Sequence, residues 1–295
     1  MNPLIMHINY CELASGSYGK RTVDFVCKTA AEIGFDGVEF RGVPPKELSN
    51  LSFKEYASQI AAGKKKYGLS DILFRINVRE AANPDAAVRA KDIADAVENA
   101  KIARELCGSE VFNTTCSEIR SQIPTVALRS YEFHGSAAAT EEQLKLTVDS
   151  YQQIGKELEK IGVRFAFETH MLYIHDTPEQ VVKLINLIDS PAIGINMDYG
   201  NTSYFPTKPS VEETIDMYGS KLFYTHFKNT SATPGSTLRT PMPLSDGEIN
   251  HRIYLEKLRE VGFSGPMGIE APRNGDRIHF AKQDYAYIRS VIESI

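Results

Sequence analysis

The sequence lacks a long hydrophobic run. No stretch of about 18 apolar residues occurs among its 295 residues, so we expect no membrane-spanning helix. Residues 1–10 lack the charged, apolar and small-residue regions of a signal peptide. The chain has only 4 cysteines, and they form no CxxC pair, which argues against a disulfide framework or a structural zinc site. We therefore expect a cytoplasmic protein with reduced thiols.

The sequence also lacks a basic excess. It has 33 Lys and Arg against 38 Asp and Glu, and a formal net charge of -5, which argues against a nucleic-acid partner. Hydrophobic residues make up 42% and charged residues 24%, which is typical of a globular protein with a sizeable core. The length alone allows one large domain or two small ones.

Short apolar runs alternate with helical patterns along the whole chain. The runs are nearly continuous in apolar residues, as expected of parallel strands that are covered on both faces. The predicted strands are Leu4–Ile8, Gly37–Phe40, Ile72–Ile76, Glu110–Asn113, Val163–Phe167, Ile193–Met197, Leu222–Tyr224 and Met267–Ile269.

Between these runs, apolar residues recur at helical spacing. The clearest helix covers Glu141–Ile161, with Thr140 at its start. A second begins near Pro84, with Asn83 as its predicted N-cap, and ends at Leu106; a third opens at Thr177 and Pro178. Weaker patterns cover Arg21–Ile33, Phe53–Tyr67, Val211–Tyr218, Ile253–Val261 and Ala281–Ile292.

This order of elements predicts repeated βαβ units of the α/β class. A doubly wound open sheet would also alternate, but eight evenly spaced strands favour a closed (β/α)₈ TIM barrel. No linker rich in Pro, Gly or Ser interrupts the pattern, so we interpret residues 1–295 as a single domain. Two long connections, Ser117–Ala139 and Asn229–Asn250, each follow a strand and are expected at the active-site face.

Four successive predicted strands end in a side chain that can bind a metal: Glu168, Asp198, His226 and Glu270. The C-terminal ends of barrel strands converge on one pocket, where three carboxylates repel one another unless a cation offsets them. Any one of these acids could instead be a helix cap, and the histidine a hydrogen-bonded structural residue. Together they predict one divalent ion, Mn²⁺ first, then Mg²⁺, Co²⁺ or Zn²⁺.

The sequence resembles the xylose isomerase-like TIM barrels, a family of sugar (phosphate) isomerases and epimerases. The resemblance rests on Gly34-Phe35-Asp36-Gly37-Val38-Glu39, on the four strand ends and on Asp246-Gly247-Glu248-Ile249-Asn250, and it spans nearly the whole chain. It implies that the four residues are the metal ligands, that the substrate is a sugar or keto-polyol, and that the protein is a dimer or tetramer.

The chain departs from one subgroup of that family. Ketose 3-epimerases carry a second Glu six residues after the first ligand, a His three residues after the Asp ligand and an Arg six residues after the His ligand. Ile174, Asn201 and Ala232 occupy these positions here. Substrate contacts of the simple ketose epimerases are therefore missing.

A divalent ion at the barrel mouth can polarise a carbonyl and stabilise an enediolate. Glu168 and Glu270 are the candidate bases that remove the neighbouring proton. Proton return gives an isomerase or epimerase, which we take as the main hypothesis. Loss of a β substituent gives a lyase or dehydratase acting on a keto-sugar or inosose, including 3-keto-glycoside cleavage.

Further candidates lie at or near these strand ends, and three of them, His170, Lys228 and Arg41, stand two residues after Glu168, His226 and Glu39 and so face the same side. His170 is a candidate catalytic and substrate-binding residue, or it supports the metal ligands. The remaining predicted substrate contacts are Glu39, Arg41, Asn201, Lys228 and Arg273. Weaker candidates are Arg75 and Asn113, whereas His7 is expected at the barrel floor, His175 and His251 look solvent-facing, and Cys116 has no adjacent base.

Two other classes of function compete. An abasic-site endonuclease needs more ligands, several of them histidine, and the 7 histidines here are scattered. A non-catalytic barrel that binds a sugar or a partner subunit does not need an open metal position.

Overall fold

Eight parallel strands close into a barrel in the computed structural model, which describes residues 2–11, 22–233 and 238–295. Each strand pairs with its neighbours in chain order, and the first pairs with the last, so the closed (β/α)₈ barrel is confirmed over an open sheet. The barrel strands are β1 (Leu4–His7), β2 (Gly37–Arg41), β3 (Asp71–Arg75), β4 (Val111–Thr114), β5 (Arg164–Glu168), β6 (Ile193–Asp198), β7 (Leu222–Phe227) and β10 (Met267–Ile269).

Helices follow the strands and cover the outside of the barrel. They are α1 (Val23–Ile33), α2 (Phe53–Tyr67), α3 (Ala86–Cys107), α4 (Glu141–Ile161), α5 (Pro178–Ile188), the short α6 (Tyr199–Thr202), α7 (Val211–Tyr218), α8 (His251–Glu260) and α9 (Arg277–Ser294). Within the described residues, no helix is both long enough and apolar enough to cross a membrane.

The helix starts follow from local hydrogen bonding. Ser52, Thr140 and Ser210 each form a capping box with the residue three positions later. Thr177 caps α5 as predicted. The prediction that Asn83 caps α3 was wrong, because Asp85 accepts hydrogen bonds from the first helical N–H groups while Asn83 accepts one from Asp85 N.

The two long connections contain regular structure that the sequence pattern did not reveal. Residues 229–250 include an antiparallel hairpin of β8 (Asn229–Ala232) and β9 (Arg239–Met242). Residues 117–139 contain two 3₁₀ turns, Tyr131–Phe133 and Gly135–Ala137. Both connections lie at the C-terminal ends of the barrel strands.

The inside of the barrel changes from apolar to polar along its axis. One end is filled by a cluster of inward-facing residues: Ile5, Leu73, Val111, Ala166, Phe223 and Tyr224. Two residues further along their strands, the inward side chains include His7, Arg75, Asn113, Glu168 and His226. Because residues two apart on a strand share a face, the polar layer lies directly above the apolar one.

Candidate metal centre

Four side chains from successive strands meet in the polar layer. Glu168 ends β5, Asp198 ends β6, His226 lies in β7, and Glu270 directly follows β10. One ligand atom from each of the four lies within 4.8 Å of the other three, and all four residues are buried. The register that pairs Asp198 with His226 brings two of the ligands side by side.

The spacing of the ligand atoms fits one ion. His226 Nδ1 lies 3.0 Å from Glu270 Oε2, 3.7 Å from Asp198 Oδ2 and 3.9 Å from Glu168 Oε1. Ligands about 2.1 Å from a metal are about 3.0–3.4 Å from each other, so only a small contraction is needed. Asp198 Oδ2 and Glu270 Oε2 are buried and accept no hydrogen bond of good geometry. This cluster could therefore hold a divalent ion.

Glu39 sets the orientation of His226. His226 Nε2 lies 2.7 Å from Glu39 Oε2, which leaves Nδ1 for the other three ligands. Tyr224 Oη donates to the same Glu39 oxygen at 2.7 Å, and Asn113 Nδ2 donates to Glu39 Oε1 at 2.9 Å. Burial would raise the pKa of Glu39, but the charges of His226 and His7 outweigh it and hold the pKa at about 2. Glu39, a predicted substrate contact, thus lies beneath the imidazole and is fully buried.

Asparagine side chains hold the other ligands. Asn9 Nδ2 donates to Glu270 Oε1 at 2.7 Å, and Arg41, a predicted substrate contact, donates to Asn9 Oδ1 at 2.9 Å. Asn9 and Tyr224 were missed at the sequence level. Asn9 follows His7 by two positions, so the parity argument applied to His170 would have found it.

Glu168 and Asp198 are held in the same way. Asn113 Nδ2 donates to Glu168 Oε2 at 2.9 Å. Asn201, a predicted substrate contact, donates its side-chain amide to Glu168 Oε1 at 3.2 Å and its backbone N–H to Asp198 Oδ1 at 2.8 Å. These amides fix the ligands in place before any ion binds.

Cations balance the carboxylates. Lys228 Nζ lies 2.8 Å from Asp198 Oδ2 and 3.4 Å from Glu270 Oε2, and Arg75 Nη1 lies 3.5 Å from Glu168 Oε2. Burial would raise the pKa of Glu168, but the charge of Arg75 lowers it. Burial would also raise the pKa of Glu270, but the charges of His7 and Lys228 lower it. Burial would lower the pKa of Lys228, but Asp198 and the two glutamates raise it.

His170 lies beside the cluster without joining it. Its side chain is partly exposed, and Nδ1 donates to the Met171 carbonyl at 2.8 Å, which leaves Nε2 as an acceptor in the neutral ring. The ring meets Tyr173 edge to face at 5.4 Å.

Arg273, also a predicted substrate contact, is engaged with α9. Its Nη1 donates to Asp284 Oδ2 at 2.9 Å and to the Ala271 carbonyl at 2.7 Å, and its guanidinium lies 4.4 Å from the centre of the Phe280 ring. These contacts tie the segment after Glu270 to α9.

The remaining histidines are structural. The expectation that His175 and His251 face solvent was wrong, because both are fully buried. His175 stacks on Tyr173 and accepts from Cys116 N, and burial lowers the pKa of His175 to about 3. His7 lies in the polar layer rather than at the barrel floor, 2% exposed and with its ring edge to face against His226 at 5.5 Å. Burial raises the pKa of Cys116 to about 12, which does not favour a nucleophile.

A comparison with known protein families agrees with the family resemblance that the sequence motifs indicated. A sequence profile described as the xylose isomerase-like TIM barrel matches residues 27–291. The chain belongs to the xylose isomerase-like TIM barrel family. A member of that family from Mycobacterium smegmatis, solved in complex with magnesium, superposes with a TM-score of 0.71 at 18% identity, covering 99% of this chain and 97% of that one.

Other relatives carry different activities. A D-allulose 3-epimerase from Methylomonas sp. superposes with a TM-score of 0.71 at 13% identity, covering 98% of both chains. A 3-dehydroshikimate dehydratase of Pseudomonas putida is 25% identical over 147 residues, which cover 48% of this chain and 23% of that protein. The chain spans less than half the length of the curated relatives it matches. Family membership therefore does not decide among isomerase, epimerase and dehydratase activity.

Proposed function

We propose that this protein is a divalent-metal-dependent isomerase or epimerase that removes a proton next to the carbonyl of a sugar or keto-polyol. The observation that carries the proposal is the buried cluster of three carboxylates and one imidazole within 4.8 Å. Asp198 Oδ2 and Glu270 Oε2 are buried and accept no hydrogen bond of good geometry, although Lys228 Nζ lies 2.8 Å from the first and His226 Nδ1 lies 3.0 Å from the second.

Each residue has a role in this scheme. Glu168, Asp198, His226 and Glu270 would hold the ion, for which Mn²⁺ is our first choice. A bound ion would polarise the substrate carbonyl and stabilise an enediolate. Glu168 and Glu270 come from opposite ends of the arc β5–β6–β7–β10, so they are the candidates for removing and returning the proton. Lys228 would donate to a substrate oxygen at the same edge.

Elimination is the second candidate. His170 supplies a partly exposed imidazole two residues after Glu168, outside the ligand cluster, where it can serve as an acid or base. The buried Ile174 occupies the position of the second Glu in ketose 3-epimerases. A dehydratase or lyase acting on a keto-sugar or inosose would need that extra proton donor to release the β substituent.

The test is solvent deuterium incorporation followed by NMR. Purified protein with Mn²⁺ is incubated in deuterated water with ketoses, inosose-type ketones and 3-keto-glycosides. We expect incorporation next to the carbonyl of at least one compound. A carbonyl moved to the neighbouring carbon or an inverted centre marks the first proposal, and a lost β substituent marks the second. Isomerisation or epimerisation without any incorporation would contradict the proton-abstraction step.

Variants assign the bases. Glu168→Gln and Glu270→Gln are expected to lose at least about 10²–10⁴ in turnover, the usual contribution of a general base. Glu110→Gln, at the opposite end of the barrel, is the matched control and should retain activity. Metal content is measured in parallel, since both glutamates are also candidate ligands. A variant that keeps near-wild-type turnover removes that residue from the mechanism.

A further inference from the structure

The ring of strand ends has a second half that the metal cluster does not use. The candidate ligands come from β5, β6, β7 and β10, whereas β2 and β3 end in Arg41 and Arg75. These two arginines are register partners on adjacent parallel strands, so both side chains lie on the same side of the sheet. That side is the barrel interior, because Glu39, two residues before Arg41, contacts His226 there.

Arg75 points its guanidinium toward the cluster while most of its donors lack acceptors. The side chain is only 16% exposed, and Nη1 lies 3.5 Å from Glu168 Oε2, beyond a good hydrogen bond. Within the described residues, its one hydrogen bond runs from Nε to Asn77 Oδ1 at 3.2 Å. A guanidinium has five N–H donors in a planar fork, and buried donors are normally paired. The unpaired edge therefore fits a ligand that accepts two parallel hydrogen bonds.

The charges at the mouth lead to the same ligand. The four candidate ligands lie on β5, β6, β7 and β10, and Lys228 lies beside them. Arg41 and Arg75 place two positive charges at the strand ends that carry none of these ligands. This half of the mouth therefore attracts an anion.

We propose that the substrate carries an anionic group, a carboxylate or a phosphate, that binds Arg75 while its hydroxy-ketone end lies at the metal centre. The inference rests on the proposed function for the metal end, and it narrows the substrate class to keto-sugar acids or phosphates. Arg75 donates two parallel hydrogen bonds to the anion, and Arg41 adds its charge from the next strand.

The test uses three compounds that differ only at C6: D-fructuronate, D-fructose and D-fructose 6-phosphate. Isothermal titration calorimetry measures their dissociation constants for the Mn²⁺-loaded protein and its variants. We expect at least one anion to bind about tenfold or more tightly than D-fructose. The order of D-fructuronate and D-fructose 6-phosphate distinguishes a carboxylate from a phosphate.

In Arg75→Met the preferred anion should bind no more tightly than D-fructose binds the same variant, with both affinities measured on protein whose Mn²⁺ content is determined in parallel. Arg164→Met is the matched control at the opposite end of the barrel, and it should leave all three affinities unchanged. The proposal is overturned if both anions bind no more tightly than D-fructose. It is equally overturned if none of the three compounds binds at any concentration up to its solubility. It is also overturned if Arg75→Met keeps the anion preference. Because the readout is binding, failure of the deuterium experiment would contradict the proposed function without touching this result.

Discussion

At the scale of single residues, Glu39 decides which nitrogen of His226 is available to the other ligands. The carboxylate is fully buried and 2.7 Å from Nε2, with Tyr224 and Asn113 donating to its two oxygens. Carboxylate partners of this kind fix the tautomer and raise the basicity of a ligating histidine. Glu39 therefore acts on the metal centre through another side chain.

Glu39→Gln is expected to weaken Mn²⁺ binding by about 10–100-fold, because the amide removes the charge and turns one acceptor into a donor that faces other donors. Calorimetric titration with Mn²⁺ measures the change. Glu248→Gln, near the hairpin and away from the ligands, serves as the control. An unchanged dissociation constant for Glu39→Gln would show that the carboxylate does not orient the imidazole.

The polar residues at strand ends predicted the ligand cluster but not all of its partners. Glu168, Asp198, His226 and Glu270 were found because each interrupts or follows an apolar strand at the same end of the barrel. Arg273 was predicted by the same argument, yet it donates to Asp284. Parity gives the face of a strand, but once the strand has ended the chain turns, and the direction of a side chain depends on contacts with distant elements such as α9.

At the scale of elements, the connection at residues 117–139 is fastened by a buried carboxyl. Asp176 is 1% exposed, its Oδ2 accepts from Ser136 N at 3.1 Å, and its Oδ1 has no partner. Gly135, with φ at 55°, packs against this carboxyl, where a Cβ would also lie 2.6 Å from the Tyr173 carbonyl oxygen. Burial raises the pKa of Asp176 to about 6.

This pKa predicts a pH-dependent stability. The folded-state pKa of Asp176 lies above its ordinary value, so its favourable contribution is present below about pH 4 and is lost as the pH rises to 6. At pH 8 the buried charge costs about 1–3 kcal/mol. Asp176→Asn is therefore expected to raise the free energy of unfolding by that amount at pH 8 and hardly at all at pH 3.5, as measured by urea denaturation.

The control for this prediction is Asp95→Asn, on the exposed face of α3, which should change the stability little at either pH. An equal effect of Asp176→Asn at both pH values would contradict a buried, proton-binding carboxyl. The outcome would then indicate that the substitution acts through packing.

Regular elements were predicted where one periodicity persists. Helix α4 has the predicted bounds because its apolar positions repeat over 21 residues and Thr140 caps it. The β8–β9 hairpin was missed, because Asn229–Ala232 and Arg239–Met242 are too short and polar to alternate visibly. Such a pair of strands depends on its neighbours more than on its own side chains.

At the scale of the whole molecule, the proposed metal binding would be linked to folding. An ion that binds only the folded barrel stabilises it by about 2.7 kcal/mol at 100 times its dissociation constant. For a chain of this length each kcal/mol shifts Tm by about 2–4 °C, so Mn²⁺ is expected to raise Tm by roughly 5–10 °C. Differential scanning fluorimetry after chelation and after Mn²⁺ addition measures the shift.

Asp198→Asn should abolish most of this Mn²⁺-dependent shift, since it weakens one of the four ligands. Asp216→Asn, on the surface of α7, should retain it. If wild-type protein shows neither a shift nor a bound divalent ion, the metal hypothesis is rejected.

The candidate ligands occupy one arc of the barrel, and this has a consequence for how the family can diversify. On the proposed function, substitutions after β5, β6, β7 or β10 would change whether any substrate reacts. On the proposed binding of an anion by Arg75, substitutions at the ends of β2 and β3 would change which compound is held against the same reacting centre. Variation in specificity could then accumulate on one side of the mouth while the chemistry on the other side is preserved.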